Sequence, residues 1–246
     1  MSTTTKSTSE TGHAKNIAHF LQLISFCEGY EENYNPIKET LKIIPLKELH
    51  NEAQERLNIT KTQKVTFDNA TNNRRVAFAD LKQLSTKIIN ALSVSGADTL
   101  SINNAKSINK KIQGKSNKST NSTPDTEATN TISTSQQSYD KQIDNFSNLI
   151  EILQQQTSYT PNEAQLKIDA LQTKLQDLQN KNTNVTTSYI PYSNAMLARN
   201  ETLYNPLTGL VQTAKEVKQY VKSVYGPNSK QYKQISALEF KKIKKY

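Results

Sequence analysis

Phe67-Asp68-Asn69-Ala70-Thr71-Asn72-Asn73-Arg74 has an echo further along the chain, Tyr192-Ser193-Asn194-Ala195-Met196-Leu197-Ala198-Arg199. Both read aromatic-x-Asn-Ala-x-x-x-Arg, 125 residues apart. Each sits in the middle of a long stretch whose apolar residues recur at steps of three and four, the spacing of one helix face. The two stretches therefore predict two long helices of related design.

Working outward from the first copy, Leu46, Leu49, Ala53 and Leu57 form one part of a stripe. Phe67, Ala70, Arg74, Phe78, Leu81, Leu84, Ile88 and Leu92 form the next, and Gly96 closes it. Asn58 to Thr66 is Thr-rich and a weak helix former. Upstream, Ile17, Phe20, Leu21, Ile24 and Cys27 predict a short helix over 14–28 that stops at Gly29. Asn35-Pro36 reads as a helix start, with Pro45 a kink or restart shortly after. Downstream, a short helix is expected over 100–112, ending at Gly114.

Around the second copy the register is cleaner. Ala164, Ile168, Leu171, Leu175, Leu178, Asn182, Val185, Tyr189, Tyr192, Met196, Arg199 and Leu203 follow alternating four- and three-residue steps, a heptad seam. The seam keeps phase through Pro191, which favours one kinked helix over a reversal, while the Asn/Thr run 180–187 leaves a turn there open. Thr160-Pro161-Asn162-Glu163 reads as a capping box opening that helix. A further segment, Leu207 to Val224, stops at Gly226-Pro227.

The correspondence extends beyond the motif. Ile143, Phe146, Leu149 and Ile150 match Ile17, Phe20, Leu23 and Ile24 at an offset of 126. Tyr159-Thr160-Pro161 matches Tyr34-Asn35-Pro36 at 125, and Lys241-Lys242-Ile243 matches Lys110-Lys111-Ile112 at 131. The expected fold is all-α: an elongated bundle of long kinked helices built from an internally duplicated unit. The expected parts are a disordered tail (1–12), a first unit (13–114), a flexible Ser/Thr/Asn-rich linker (115–136) and a second unit with a basic end (137–246). A short helix cannot cover a long stripe, so each long helix must pack on its counterpart or on another copy of the chain.

Composition agrees with thin bundles. Hydrophobic residues make up 34% of 246, with no Trp and only 6 Gly. That is little for a thick core, and little Gly for the tight turns of a β-rich fold. No run suits a membrane span, and the Ser/Thr-rich start lacks a secretory apolar segment, so a cytoplasmic location is expected, with signal-independent export left open. The single Cys27 excludes an internal disulfide and reads as an inert buried thiol.

Three stretches, Ala70 to Phe78, Asn194 to Tyr204 and Val221 to Ser236, together resemble a family of helical proteins from bacteria of the Bacteroidetes group. The resemblance covers most of the chain and implies a bacterial source. It implies no activity and no functional residues.

Candidate functional residues are few. Arg74 and Arg199 fall on the buried seam at equivalent places, with Phe67 and Tyr192 opening each motif. Each guanidinium either sets helix register or an interface contact, or snorkels to water on a packed stem. Asn182, also on the seam, is a second register candidate. Net charge is +9 and unevenly placed: residues 106–118 hold five Lys and no acid, and 215–246 hold nine Lys and two Glu. Lys110, Lys111, Lys241, Lys242, Lys244 and Lys245 are thus candidates for binding an anionic surface or polymer. The three histidines, His13, His19 and His50, lack metal-ligand spacing and read as packing or surface residues. Glu28, Glu31 and Glu32 read as a solvated loop. There is no phosphate loop, zincin motif or nucleophile elbow. The chain is therefore expected to be a non-enzymatic, self-associating helical scaffold with no cofactor, metal or small-molecule substrate. The competing readings are a membrane-active helical protein and a nucleic-acid-associated scaffold.

Overall fold

The computed structural model describes residues 11–114 and 137–242. It is all-α, with no strand among the described residues. In order, the helices are α1 (Thr11–Glu28), α2 (Ile43–Phe78), α3 (Leu81–Val94), α4 (Thr99–Gln113), α5 (Tyr139–Gln155), α6 (Ile168–Tyr204), α7 (Leu210–Tyr225) and α8 (Lys230–Ser236). The expected linker, 115–136, and most of the expected tail lie outside the described residues. Thr11 and Gly12 of that tail belong to α1.

Two helix starts differ from the expectation. Neither Pro36 nor Pro161 opens a helix. After each proline the chain makes a short 3-10 turn, Glu39–Leu41 or Ala164–Leu166, and the α-helix begins at Ile43 or Ile168. The cause is burial. Leu41 and Leu166 tuck into apolar cores, and each has its carbonyl held by a buried tyrosine hydroxyl. Tyr34 donates to Leu41 O at 2.6 Å and Tyr159 to Leu166 O at 3.0 Å. Pro45 then falls in the first turn of α2, where its missing N–H has no intrahelical acceptor to lose. Ala164, assigned to the seam, sits in the 3-10 turn and is exposed.

A third difference is the break at Ala79–Asp80, between α2 and α3, where one continuous helix was expected. It leaves no mark in the pattern: Phe78, Leu81, Ser85, Ile88 and Leu92 keep helical spacing across it and all are buried. Lys174 holds the break by donating to Ala77 O at 2.9 Å and to Asp80 Oδ1 at 2.8 Å. The Thr-rich part of α2 is helical despite its propensity, and Thr60 and Thr66 return their hydroxyl protons to the carbonyls of Arg56 and Thr62. α6 runs unbroken through Pro191, as the seam's phase implied. Beyond Tyr204, Asn205 Oδ1 accepts from the amides of Leu207 and Thr208, turning the chain into α7. Gly209 is required there, because a Cβ would lie 2.5 Å from the Asn205 nitrogen.

The described chain forms two compact units, and they do not coincide with the two halves of the sequence. One, unit A, comprises residues up to Thr66 and from Tyr189 onward; the other, unit B, comprises Phe67–Ser188. Each draws on both halves. In unit A, Phe20 and Ile24 of α1 and Leu46 and Leu57 of α2 share a core with Leu203, Val217 and Val221. In unit B, Phe78, Leu81 and Ile88 share a core with Phe146 and Leu149 of α5 and Leu171 and Leu178 of α6.

Within each unit the portions of α2 and α6 run antiparallel. In unit A, Thr202 Oγ1 meets Glu52 Oε1 at 3.2 Å and Thr60 Oγ1 donates to Ala195 O at 3.2 Å. In unit B, Arg74 meets Asn182 and Lys174 meets Ala77. The apolar stripe of each long helix is thus covered within the chain by its counterpart and by the short helices, except at Tyr189, a seam residue that is exposed.

Candidate register and surface sites

The residues singled out on the seam are engaged in helix-to-helix or local bonds. In unit B, Arg74 Nη1 donates to Asn182 Oδ1 at 3.0 Å. Asn182 Nδ2 donates in turn to Asp140 Oδ1 at 2.7 Å. The amide therefore stands between a cation and an anion, its oxygen toward the donor and its nitrogen toward the acceptor. The guanidinium carbon also lies 4.1 Å from the centre of the Tyr139 ring, which meets Phe78 edge-on at 4.7 Å. Three helices, α2, α5 and α6, are pinned by one cluster. Arg74 and Asn182, separate candidates in the sequence, prove to be partners. Hydrogen bonds to charged groups contribute about 1.5–3 kcal/mol, and half-burial places this one toward the lower end.

Arg199, at the equivalent position in unit A, is 0% exposed, so it does not snorkel. Its Nε and Nη2 donate to Asn200 Oδ1 at 3.1 and 2.9 Å. Asn69 and Asn194, the other polar residues of the paired motifs, are exposed. Phe67 and Tyr192 are each half-buried in their own units, and Tyr192 meets Tyr189 edge-on at 6.5 Å.

Lys110 and Lys111 are exposed in the last turn of α4, in unit B. Lys241 and Lys242 are exposed in unit A, and Lys241 pairs with Glu239 at 3.2 Å. Lys244 and Lys245 lie outside the described residues. Cys27 is buried, and burial pushes its thiol up to about 12 despite a hydrogen bond with Tyr34. The thiolate that reactivity needs is therefore suppressed. Glu28, read above as part of a loop, is the last residue of α1 and pairs with Lys47 at 2.5 Å. Among the described residues no group of three or more His, Cys, Asp or Glu side chains is placed to hold a metal.

Sequence reasoning missed one polar cluster. His13 and Asn16, three residues apart on the apolar face of α1, are both buried. His13 Nδ1 lies 2.7 Å from Tyr204 Oη, and Asn16 Nδ2 donates to the same hydroxyl at 3.3 Å and to Lys241 O at 2.8 Å. The signal was present: His13, Asn16 and Phe20 share one helix face, and a polar residue on an apolar face needs a partner.

Among the described residues no helix is long and apolar enough to cross a membrane. No protein-family model, no curated protein and no solved structure matches the chain, so the comparisons do not bear on the Bacteroidetes resemblance.

Proposed function

We propose that the chain is a non-enzymatic helical scaffold or interaction protein that associates with itself, built from a duplicated unit. The observation that carries association is an outward apolar line on α6. Ile190 and Leu197, one heptad apart, are 54% and 65% exposed, while Arg199 and Leu203 on the opposite side are fully buried. A helix with one face packed and apolar residues at i and i+7 on the other offers a second helix something to cover. The candidate polar residues support a scaffold rather than a reaction, because Arg74 and Asn182 join helix to helix. Duplication is supported by the matching tyrosine-to-carbonyl bonds of Tyr34 with Leu41 and Tyr159 with Leu166, 125 residues apart.

Sedimentation velocity across a range of concentrations tests association. Wild type is expected to form heavier species as concentration rises, and Ile190→Lys with Leu197→Glu to abolish them. A single monomeric boundary at every concentration refutes self-association. A second reading, attraction to an anionic surface, is favoured by the exposure of Lys110, Lys111 and Lys242. It predicts cosedimentation with anionic vesicles or binding to nucleic acid that weakens steeply with salt, and absence of both at low salt refutes it.

A further inference from the structure

Residues 237–242 follow α8 without helical structure and lie along α1 and α7. They are held largely through their backbone atoms. Asn16, 2% exposed, donates from Nδ2 to Lys241 O at 2.8 Å and accepts at Oδ1 from Lys241 N at 3.1 Å. His19 Nδ1 lies 2.8 Å from Glu239 O, which only accepts, so that nitrogen carries the proton. Lys218 Nζ donates to Ser236 O at 3.3 Å and to Leu238 O. Burial lowers the Lys218 pKa, as expected for an ammonium drawn into a partly closed site. The side-chain anchor is Phe240, which meets Phe20 and His19 edge-on at 6.5 and 6.1 Å and lies under Lys218 at 5.3 Å.

Backbone groups read by fixed side chains, with one aromatic anchor, are the ingredients of extended-peptide recognition. Here the peptide is the chain's own C-terminal strap. Recognition through main-chain atoms cannot distinguish the strap of one molecule from that of another, and a second copy supplies the same Phe240. The connection that would have to open is also in place. α7 ends at Gly226, whose φ of +86° and ψ of 159° only glycine adopts readily, and Pro227 follows. α8 with its strap is thus a short element joined to α7 through a glycine-proline connection, and identical copies can exchange elements joined in this way.

We propose that the α1/α7 face is a strap-docking site whose second occupant is the strap of another copy of this chain. It is a different surface from the outward apolar line on α6, and its test is independent of that reading. Exchange in wild type competes with cis docking at a high effective concentration, so a complementary pair of full-length variants exposes it. Copy one carries Asn16→Ala, leaving an intact strap and a damaged site. Copy two carries Phe240→Ala, leaving an intact site and a damaged strap, and is isotopically heavy. The copies are mixed and treated with an amine-reactive crosslinker. Lys15 of α1 and Lys242 of the strap, both exposed, report docking.

Crosslinks joining light Lys242 to heavy Lys15 are expected to rise roughly tenfold over a wild-type light/heavy mixture. That is the change weakened cis docking of about 1–2 kcal/mol would allow. The opposite pairing, heavy Lys242 to light Lys15, should stay at background. His19→Ala replaces Asn16→Ala if the latter unfolds α1. Mixed crosslinks no more frequent than in wild type, or equal in both directions, overturn the proposal, whether or not the protein associates through α6.

Discussion

The Arg74–Asn182 contact makes a quantitative demand. Arg74→Met keeps an apolar stem of similar reach but removes the bond to Asn182 Oδ1 and the stacking on Tyr139. The bond contributes about 1.5 kcal/mol at this half-buried place, and the stacking about 0.5–1. The single change should therefore cost about 2 kcal/mol. Asn182→Ala removes the same bond and the one to Asp140, for a similar loss. Counting the shared bond once, the double variant should lose about 2.5–3 kcal/mol rather than 4, a coupling of about 1–1.5. Urea unfolding by circular dichroism gives the free energies. Intrinsic fluorescence adds a second probe, since the chain has 11 Tyr and no Trp and Tyr139 sits against the guanidinium. If the two changes add to within about 0.5 kcal/mol, the contact does not link the helices energetically, and the register role assigned to Arg74 is wrong.

Other consequences can be checked together. Each compact unit combines both halves of the sequence, so cleavage at a protease site inserted within 115–136 should leave two fragments that co-elute under native conditions. Fragments that separate would contradict the shared cores. Arg199→Ala empties a fully buried position and should lower stability by at least about 2 kcal/mol in urea unfolding; Arg199→Lys should not restore it, because an ammonium cannot reproduce the paired Nε and Nη2 bonds to Asn200. Cys27 should resist alkylation in native protein at pH 8 and react once urea is added; fast native labelling would refute its burial. The fold raises Cys27, Tyr30 and Tyr159 to about 12, above their ordinary values near 8.5 and 10. Their protonated forms are therefore favoured by folding, a contribution complete below about pH 8.5 and lost as pH rises toward 12. Unfolding free energy should accordingly fall across that alkaline range, and a flat profile would refute it.

Much of the architecture was legible because a packed helix face leaves a period in the sequence. The stripes of α1, α5, α6 and α7 read directly, and the seam's phase through Pro191 correctly indicated one helix. Positions where the period is kept but the backbone is not were illegible. Ala79–Asp80 breaks the chain without glycine, proline or a shift in phase, and Pro36 and Pro161 carry good start signals that the burial of Leu41 and Leu166 overrides. Arg74, Arg199 and Asn182 could be found as polar residues on apolar seams, but not paired. That pairing depends on which helix lies opposite.

The Phe67–Arg74 motif and its echo show where the division falls. The sequence by itself determined that Arg74 and Arg199 lie on buried helix faces, because position along a helix is a local property set by spacing. Only the tertiary structure decided that Arg74 would meet Asn182 and Tyr139, with Asn182 bonded on to Asp140, while Arg199 would be wholly closed in. It alone decided, too, that each core would be built from both halves of the chain. Contacts between residues on different helices depend on how one helix face fits another, and a stripe read along one helix does not specify which face will cover it.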